Sequence, residues 1–328
     1  MMPSKTRVFI TGATGFAGRH LMRELLPTEF SVYGTSFPQP PNHTEPNIFY
    51  LDMRSERDVF DVIKSVKPEW VFHLAGISNV KHSWERKREA METNLLGTFH
   101  LLEATKKFVP EARTLYVSSS DVYGVGSGLG QGETEGTVGK TFREEDAFHI
   151  LSPYALSKAS SELMCKFYAE VENLDIVIAR PFPHTGPGQS PDFVCSDWAR
   201  QVVQIERGLV EPVIRVGNLD IERDFTDVRD TVRAYILLMK KGRRGEVYNV
   251  CRGEGIALRR ILEVFLSSTL KEVRVEQDPA RLRKADIPVL VGDNRKLKAE
   301  TGWEPRIPLD HTLLELLDYW RTRGLGLY

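Results

Sequence analysis

Short β-branched runs and amphipathic stretches alternate along the first half of the chain. Residues 7–11 (RVFIT) predict a strand that runs into a glycine-rich turn, and 16–26 predict a helix. Further strands are expected over 31–36 (SVYGTS), 47–52 (NIFYLD), 70–75 (WVFHLA), 113–118 (RTLYVS) and 175–179 (DIVIA). Helical patterns fall between them over 55–66, 87–108 and 152–173. Ser152-Pro153 is a helix start, with serine as N-cap and proline at the first helical position. Strands alternating with helices imply an α/β fold, a Rossmann-type doubly wound parallel sheet. Its right-handed crossovers gather the C-terminal ends of the strands on one edge, where ligands bind.

After Pro181 the alternation weakens. Shorter strands (PVIRVG, EVYNVC) and helices over 227–240 and 258–270 imply a smaller C-terminal substrate-binding lobe. The expected division is a dinucleotide-binding domain over 1–178 and a substrate lobe over 179–328, interwoven with the first. Residues 124–140 are glycine-rich and aperiodic, and predict a loop beside the ligand edge.

Composition narrows the function classes. The chain has 328 residues, with 41% hydrophobic and 27% charged, as in ordinary globular proteins. A formal net charge of −1 disfavours a nonspecific nucleic-acid binder, so an anionic ligand must meet locally placed cations or backbone N–H groups. Cys165, Cys195 and Cys251 lack metal-ligand spacing and are odd in number, so neither a metal site nor a disulfide framework is expected. No apolar run approaches the roughly 20 residues of a membrane helix, and no signal-peptide core precedes the first strand. A cytoplasmic location is the expectation.

Candidate chemistry begins at the first turn. Gly12, Gly15 and Gly18 (GATGFAG) stand between a strand and a helix, the context that makes a glycine triplet a dinucleotide signature. The turn lets backbone approach a pyrophosphate, and the helix N-terminus offers unpaired N–H groups to it. The second strand ends in Thr35-Ser36-Phe37, without the acid that often binds NAD ribose hydroxyls. Thr35 and Ser36 are able to donate to a 2′-phosphate, although the loop after them carries no Arg. NADPH is therefore favoured and NADH possible. Asp52 is placed to accept from an adenine amino group, and Ala75 and Gly76 are small enough to let a cofactor pass.

Tyr154 and Lys158 lie four apart on one helix, and so share a face. A neighbouring ammonium favours phenolate, which would lower the tyrosine pKa and fit the pair for proton transfer at a carbonyl. Ser118, Ser119, Ser120 and Asp121 close the fifth strand on the ligand edge, where a hydroxyl can orient a ketone. Read alone, each motif also fits a plain turn or a solvated helix face; together they point to a cofactor-dependent carbonyl site.

These features resemble the extended short-chain dehydrogenase/reductase family. HLAG (73–76), NLLGT (94–98), SSSDVYG (118–124), SPYALSK (152–158), ARPFPHTGPGQ (179–189), RDFTDVRD (223–230), VYNVCRG (247–253) and DPARLRKADIPVLVGDNRKL (278–297) extend the likeness over nearly the whole chain. The segments after 179 resemble members that act on GDP-sugars. The resemblance implies catalytic roles for Ser119, Tyr154 and Lys158. It implies a cofactor cleft lined by Gly12, Thr14, Gly15, Phe16, Gly18, Ser36, Asp52, Met53, Leu74, Ala75, Gly76 and Asn94, with Tyr154 and Lys158. It implies substrate contacts from Ser120, Asp121, Arg180, His184, Gln189, Arg223 and Arg281, and a homodimer through the helices over 87–108 and 152–173.

The implied reaction is NAD(P)H-dependent reduction of the C4 ketone of a GDP-4-keto-6-deoxy-mannose to GDP-D-rhamnose. Family members that dehydrate carry Glu where this chain has Asp121, one methylene shorter, which favours reduction. Pro183 stands where members usually carry a substrate-holding Asn, and proline offers neither amide nor N–H. Two alternatives stay open: a dehydratase or epimerase that recycles its cofactor, and a catalytically silent cofactor-binding protein.

Overall fold

The computed structural model describes residues 5–26, 29–38, 47–124, 141–281 and 288–323. Five strands come from the first half: β1 (Thr6–Thr11), β2 (Phe30–Ser36), β3 (Ile48–Tyr50), β4 (Trp70–His73) and β5 (Arg113–Val117). With strands Ile176–Pro181 and Val247–Val250 they form one seven-stranded sheet. Its order is Val247–Val250, Ile176–Pro181, β5, β4, β1, β2, β3. Every pairing is parallel. The order reverses between β1 and β4, and the strand ends there open the crevice where such sheets bind ligands.

Buried strands and helices on both faces make this a doubly wound sheet. One face carries α1 (Phe16–Leu25) and helix Val228–Lys241, whose Leu21, Leu25, Val232 and Leu238 pack with Val8, Ile10 and Leu115. The other carries α2 (Glu56–Val66) and helices Gly97–Phe108 and Pro153–Glu170. Val59, Ile63 and Leu101 pack there with Phe9 and Val71, and Cys165 and Tyr168 pack with Ile176. Strand Val247–Val250, helix Val228–Lys241 and Trp303 bring later parts of the chain back to this sheet.

A second core is built from helices Val194–Glu206, Leu258–Ser267 and Leu309–Thr322, packed through Trp198, Ile261, Phe265, Leu313 and Trp320. The pattern expected over 87–108 is interrupted: α-helix Lys87–Met91 passes through a π turn, Glu92–Leu96, before Gly97–Phe108. The expected loop over 124–140 lies, except for Gly124, outside the described residues. No helix among the described residues is long and apolar enough to cross a membrane.

Candidate active site

The glycine turn is shaped by close backbone approach. Gly12 has φ +71°, and a Cβ there would lie 3.0 Å from the Ala75 backbone. A Cβ on Gly18 would lie 2.2 Å from the Gly12 carbonyl oxygen, so the first turn of α1 packs against the loop only without a side chain. Gly15 caps α1 without any side-chain acceptor, and the first turn contains no acid. Its N–H groups are thus directed out of an uncapped, electropositive helix end, which suits a pyrophosphate. Thr35 Oγ1 accepts from the Gly12 N–H at 3.0 Å, and Thr14 Oγ1 donates to Ser36 Oγ at 2.8 Å. Leu74 and Ala75 are partly exposed and Gly76 exposed, which leaves the end of β4 as an open floor. Phe16 stacks on His184, with ring centroids 5.9 Å apart.

Several expected cofactor residues have structural partners. Asp52 is chelated by Arg54, whose Nη2 is 2.6 Å from Oδ2, and that contact holds its carboxyl below the usual range. Arg54 also lies over Phe37, 5.8 Å from the ring centroid. A guanidinium thus stands beside Phe37, the residue that follows β2. The Met53 side chain is buried against Gly97, and its carbonyl bonds His100 Nδ1 at 3.0 Å. Asn94, in the π turn, accepts from the Ile77 N–H at 2.8 Å and donates to Ser157 Oγ at 2.9 Å. The extra residue of that turn thus ties the β4 floor to the helix carrying Lys158.

That helix, Pro153–Glu170, begins as expected: Ser152 Oγ accepts from the Ala155 N–H at 3.0 Å, with proline in the first turn. The Tyr154 N–H donates to Ser83 Oγ at 3.1 Å, and Ser83 sits in a short helix, Val80–Glu85. Ser119 follows β5 and caps a 3₁₀ turn, Ser120–Tyr123. Its Oγ accepts from the Asp121 N–H at 3.2 Å and donates to Asp121 Oδ2 at 3.1 Å. Ser120 is buried in the same turn.

The Ser119 hydroxyl and the Asp121 carboxylate both act on the Tyr154 phenol, so the strand end and the helix face one another. Burial pushes the Tyr154 phenol well up, the charge of Asp121 adds to this, and the neighbouring Ser119 hydroxyl acts in the opposite direction. Burial lowers the Lys158 ammonium to about 8. Lys158 Nζ donates to the Val117 carbonyl at 2.8 Å. The expected lowering of the tyrosine by the lysine is therefore corrected. Desolvation dominates both groups, and the ammonium is turned to a backbone oxygen. At neutral pH Tyr154 is therefore protonated and Lys158 mostly a cation.

His73, at the end of β4, is buried and neutral, lowered to about 3 by burial and then by the charge of Lys158. Its ring bridges Thr11 Oγ1 at 2.7 Å and Thr98 Oγ1 at 2.9 Å.

The expected substrate residues divide. Arg180 is enclosed, 1% exposed, and ion-paired with Glu162 at 2.6 Å. It has no surface to offer a sugar nucleotide, which corrects its expected role; its partner lies 18 residues away on another element. Gln189 is likewise buried, accepting from Thr185 Oγ1 at 2.6 Å and donating to the His184 carbonyl at 2.9 Å. Its amide shapes its own loop. His184 Nδ1 bonds the Phe182 carbonyl at 3.1 Å, and burial lowers its pKa. His20 Nε2 reaches the Pro187 carbonyl at 2.9 Å. The segment around Pro183 is thereby seated on α1.

Arg223 is half-buried and donates to the Glu222 carbonyl at 2.7 Å. Arg281, in a 3₁₀ turn just after strand Arg274–Gln277, is exposed and pairs with Asp197 at 2.7 Å.

Comparison with known proteins settles the kinship of this arrangement. Residues 9–316 match the family described as GDP-mannose 4,6 dehydratase. The chain belongs to the GDP-mannose 4,6 dehydratase family. Its fold is that of an extended short-chain dehydrogenase/reductase. Within the family it is 34% identical to GDP-6-deoxy-D-mannose reductase of Pseudomonas aeruginosa, over 97% of this chain and 98% of the relative. The human GDP-mannose 4,6 dehydratase is 27% identical, over 94% of this chain and 89% of the relative. Among solved structures, RMD from Pseudomonas aeruginosa complexed with NADPH superposes with a TM-score of 0.82 at 32% identity, covering 97% of this chain and 100% of that one. The UDP-glucose 4-epimerase of Thermus thermophilus in complex with NAD gives 0.83 at 26% identity, covering 97% and 100%.

Proposed function

We propose that this chain uses NADPH to reduce the C4 ketone of GDP-4-keto-6-deoxy-mannose to GDP-D-rhamnose. The observation that carries this reading is the pairing of Asp121 with Ser119 beside a protonated Tyr154. Dehydration needs a further base at C5 and an acid at C6 of the sugar. Here the one carboxylate at the strand end is short and bonded to Ser119. Simple reduction needs only a proton donor, a hydroxyl to orient the ketone and a cation beside the donor. The likeness to a GDP-6-deoxy-D-mannose reductase supports the same reading.

When bound, the reduced nicotinamide supplies the hydride. Ser119 orients the ketone oxygen. Tyr154 donates its proton to that oxygen, and the phenolate left behind is stabilised by the Lys158 ammonium. Gly12, Gly15, Gly18 and the first N–H groups of α1 hold the pyrophosphate, and Ser36 with Arg54 meets the 2′-phosphate. Arg223 and Arg281 hold the sugar-nucleotide phosphates.

The same reading makes the protein a cytoplasmic homodimer. Leu156, Leu163 and Phe167, with Leu96 and Phe99 on the neighbouring helix, are exposed apolar side chains at helical spacing that a second copy would cover.

The test is to incubate the chain with GDP-4-keto-6-deoxy-mannose and NADPH and identify the product by NMR. Stoichiometric oxidation of NADPH with formation of GDP-D-rhamnose is expected. Turnover without net cofactor oxidation would favour the dehydratase or epimerase reading instead.

A further inference from the structure

Tyr154, Lys158 and Glu162 recur at intervals of four on one helix, and all three are buried. Glu162 does not reach the cleft. It is 0% exposed and receives three contacts from Arg180: Nη2 at 2.6 Å and Nε at 3.2 Å to Oε1, and Nε at 3.0 Å to Oε2. Ser118 Oγ donates to its Oε2 at 2.7 Å. The remaining donor of the guanidinium, Nη1, serves Tyr123 Oη at 2.7 Å and the Glu144 carbonyl at 3.0 Å. Tyr123 in turn donates to Asn249 Oδ1 at 2.6 Å. The Tyr123 and Phe148 ring centroids lie 4.9 and 5.0 Å from the guanidinium carbon.

The connections have a pattern. Ser118 immediately precedes Ser119, and Tyr123 closes the 3₁₀ turn that carries Asp121. Glu162 lies one turn beyond Lys158 on the helix that carries Tyr154. The ion pair therefore joins, from behind, the two elements whose meeting brings Ser119 to Tyr154. A fully enclosed ion pair is a poor source of stability, because desolvation offsets its attraction and apolar replacements are often neutral. What it does supply is fixed geometry: a bidentate fork and a saturated hydrogen-bond set admit one relative placement of strand end and helix.

We propose that Glu162 and Arg180 are positioning residues for proton transfer, acting through Ser118 and Tyr123 to set Ser119 against Tyr154. The inference rests on the assignment of Ser119 and Tyr154 to the chemistry and deepens it. Arg180 touches no substrate; it determines how well the proton donor is aimed.

The test is the Glu162→Leu/Arg180→Met double variant, which removes both enclosed charges together; Lys166, 3.8 Å from Glu162 Oε1, loses that partner but is itself part-exposed to water. Melting temperature, NADPH affinity, kcat, KM and the solvent deuterium isotope effect on kcat are measured on the full-length protein. The proposal expects a melting temperature and NADPH affinity close to those of the parent. It expects kcat to fall by about a hundredfold, the scale of a displacement of about 1 Å in a reacting group. The solvent isotope effect should rise as proton delivery from Tyr154 becomes limiting. A folded double variant with kcat within about threefold of the parent and an unchanged isotope effect overturns the proposal.

Ser118→Ala removes one link while keeping the ion pair, and it carries the test if the double variant does not fold. It should lower kcat several-fold at unchanged melting temperature, and an unchanged kcat counts against the proposal. Tyr154→Phe, run alongside, separates the two failures. If that variant keeps activity, the assignment of Tyr154 itself is wrong. If it loses activity while the double variant does not, only the positioning role is wrong.

Discussion

Two arginines of this molecule sit under opposite conditions. Arg180 is enclosed with Glu162 and has no exposed surface through which to change partner. Arg281 pairs with Asp197 at a similar distance, 2.7 Å, but its side chain is 41% exposed. The first pair is part of the frame. The second is a surface pair of small net worth, able to exchange a carboxylate for a phosphate at little cost. On the proposed function, charge serves geometry where it is buried and recognition where water can reach it.

The largest effect that would sharpen this contrast lies at Tyr154. Tyr154→Phe should lower kcat by 10²- to 10⁴-fold, the usual contribution of a positioned acid, with cofactor affinity nearly unchanged. Undiminished turnover would remove the reason for the frame behind it. A smaller effect is expected at Arg281. Arg281→Ala should raise KM for the sugar nucleotide by roughly tenfold, as for a lost charge-assisted contact, and leave KM for NADPH unchanged. Equal effects on both would place Arg281 outside the substrate site.

The smallest effect is in the pH profile. Burial lowers Lys158 to about 8, so its cationic form predominates below that pH and is lost above it. On the proposed mechanism the cation stabilises the phenolate left when Tyr154 gives up its proton. Then kcat/KM for NADPH should be level below pH 8 and decline as pH rises through about 8. Lys158→Met should abolish that inflection, and a parent profile level to pH 10 would exclude Lys158 as its source.

The parts of the site that local pattern reveals are those built by local geometry. The glycine turn declares itself through its place between β1 and α1, and Tyr154 and Lys158 through a four-residue spacing. Ser119 follows from standing at a strand end on the ligand edge. The enclosure of Arg180 is not legible in the sequence, because its partner is 18 residues away on another element and no periodicity records that pairing. Nor is the place of Arg54 beside Phe37, which comes from sheet register instead of sequence neighbourhood. The π turn at Glu92–Leu96 kept the apolar pattern of a plain helix and was legible only as such. The pKa expectation failed on burial, since spacing says that two groups are neighbours but not how far both are from water.

The central claim, that Ser119, Tyr154 and Lys158 perform a net reduction at C4, is tested most directly by isotope tracing. GDP-4-keto-6-deoxy-mannose is supplied with NADPH deuterated at the reactive nicotinamide carbon, and the product is read by NMR. The account predicts one deuterium at sugar C4, with one NADPH oxidised per product. Deuterium at C5 or C6, or product formed without cofactor oxidation, would contradict it.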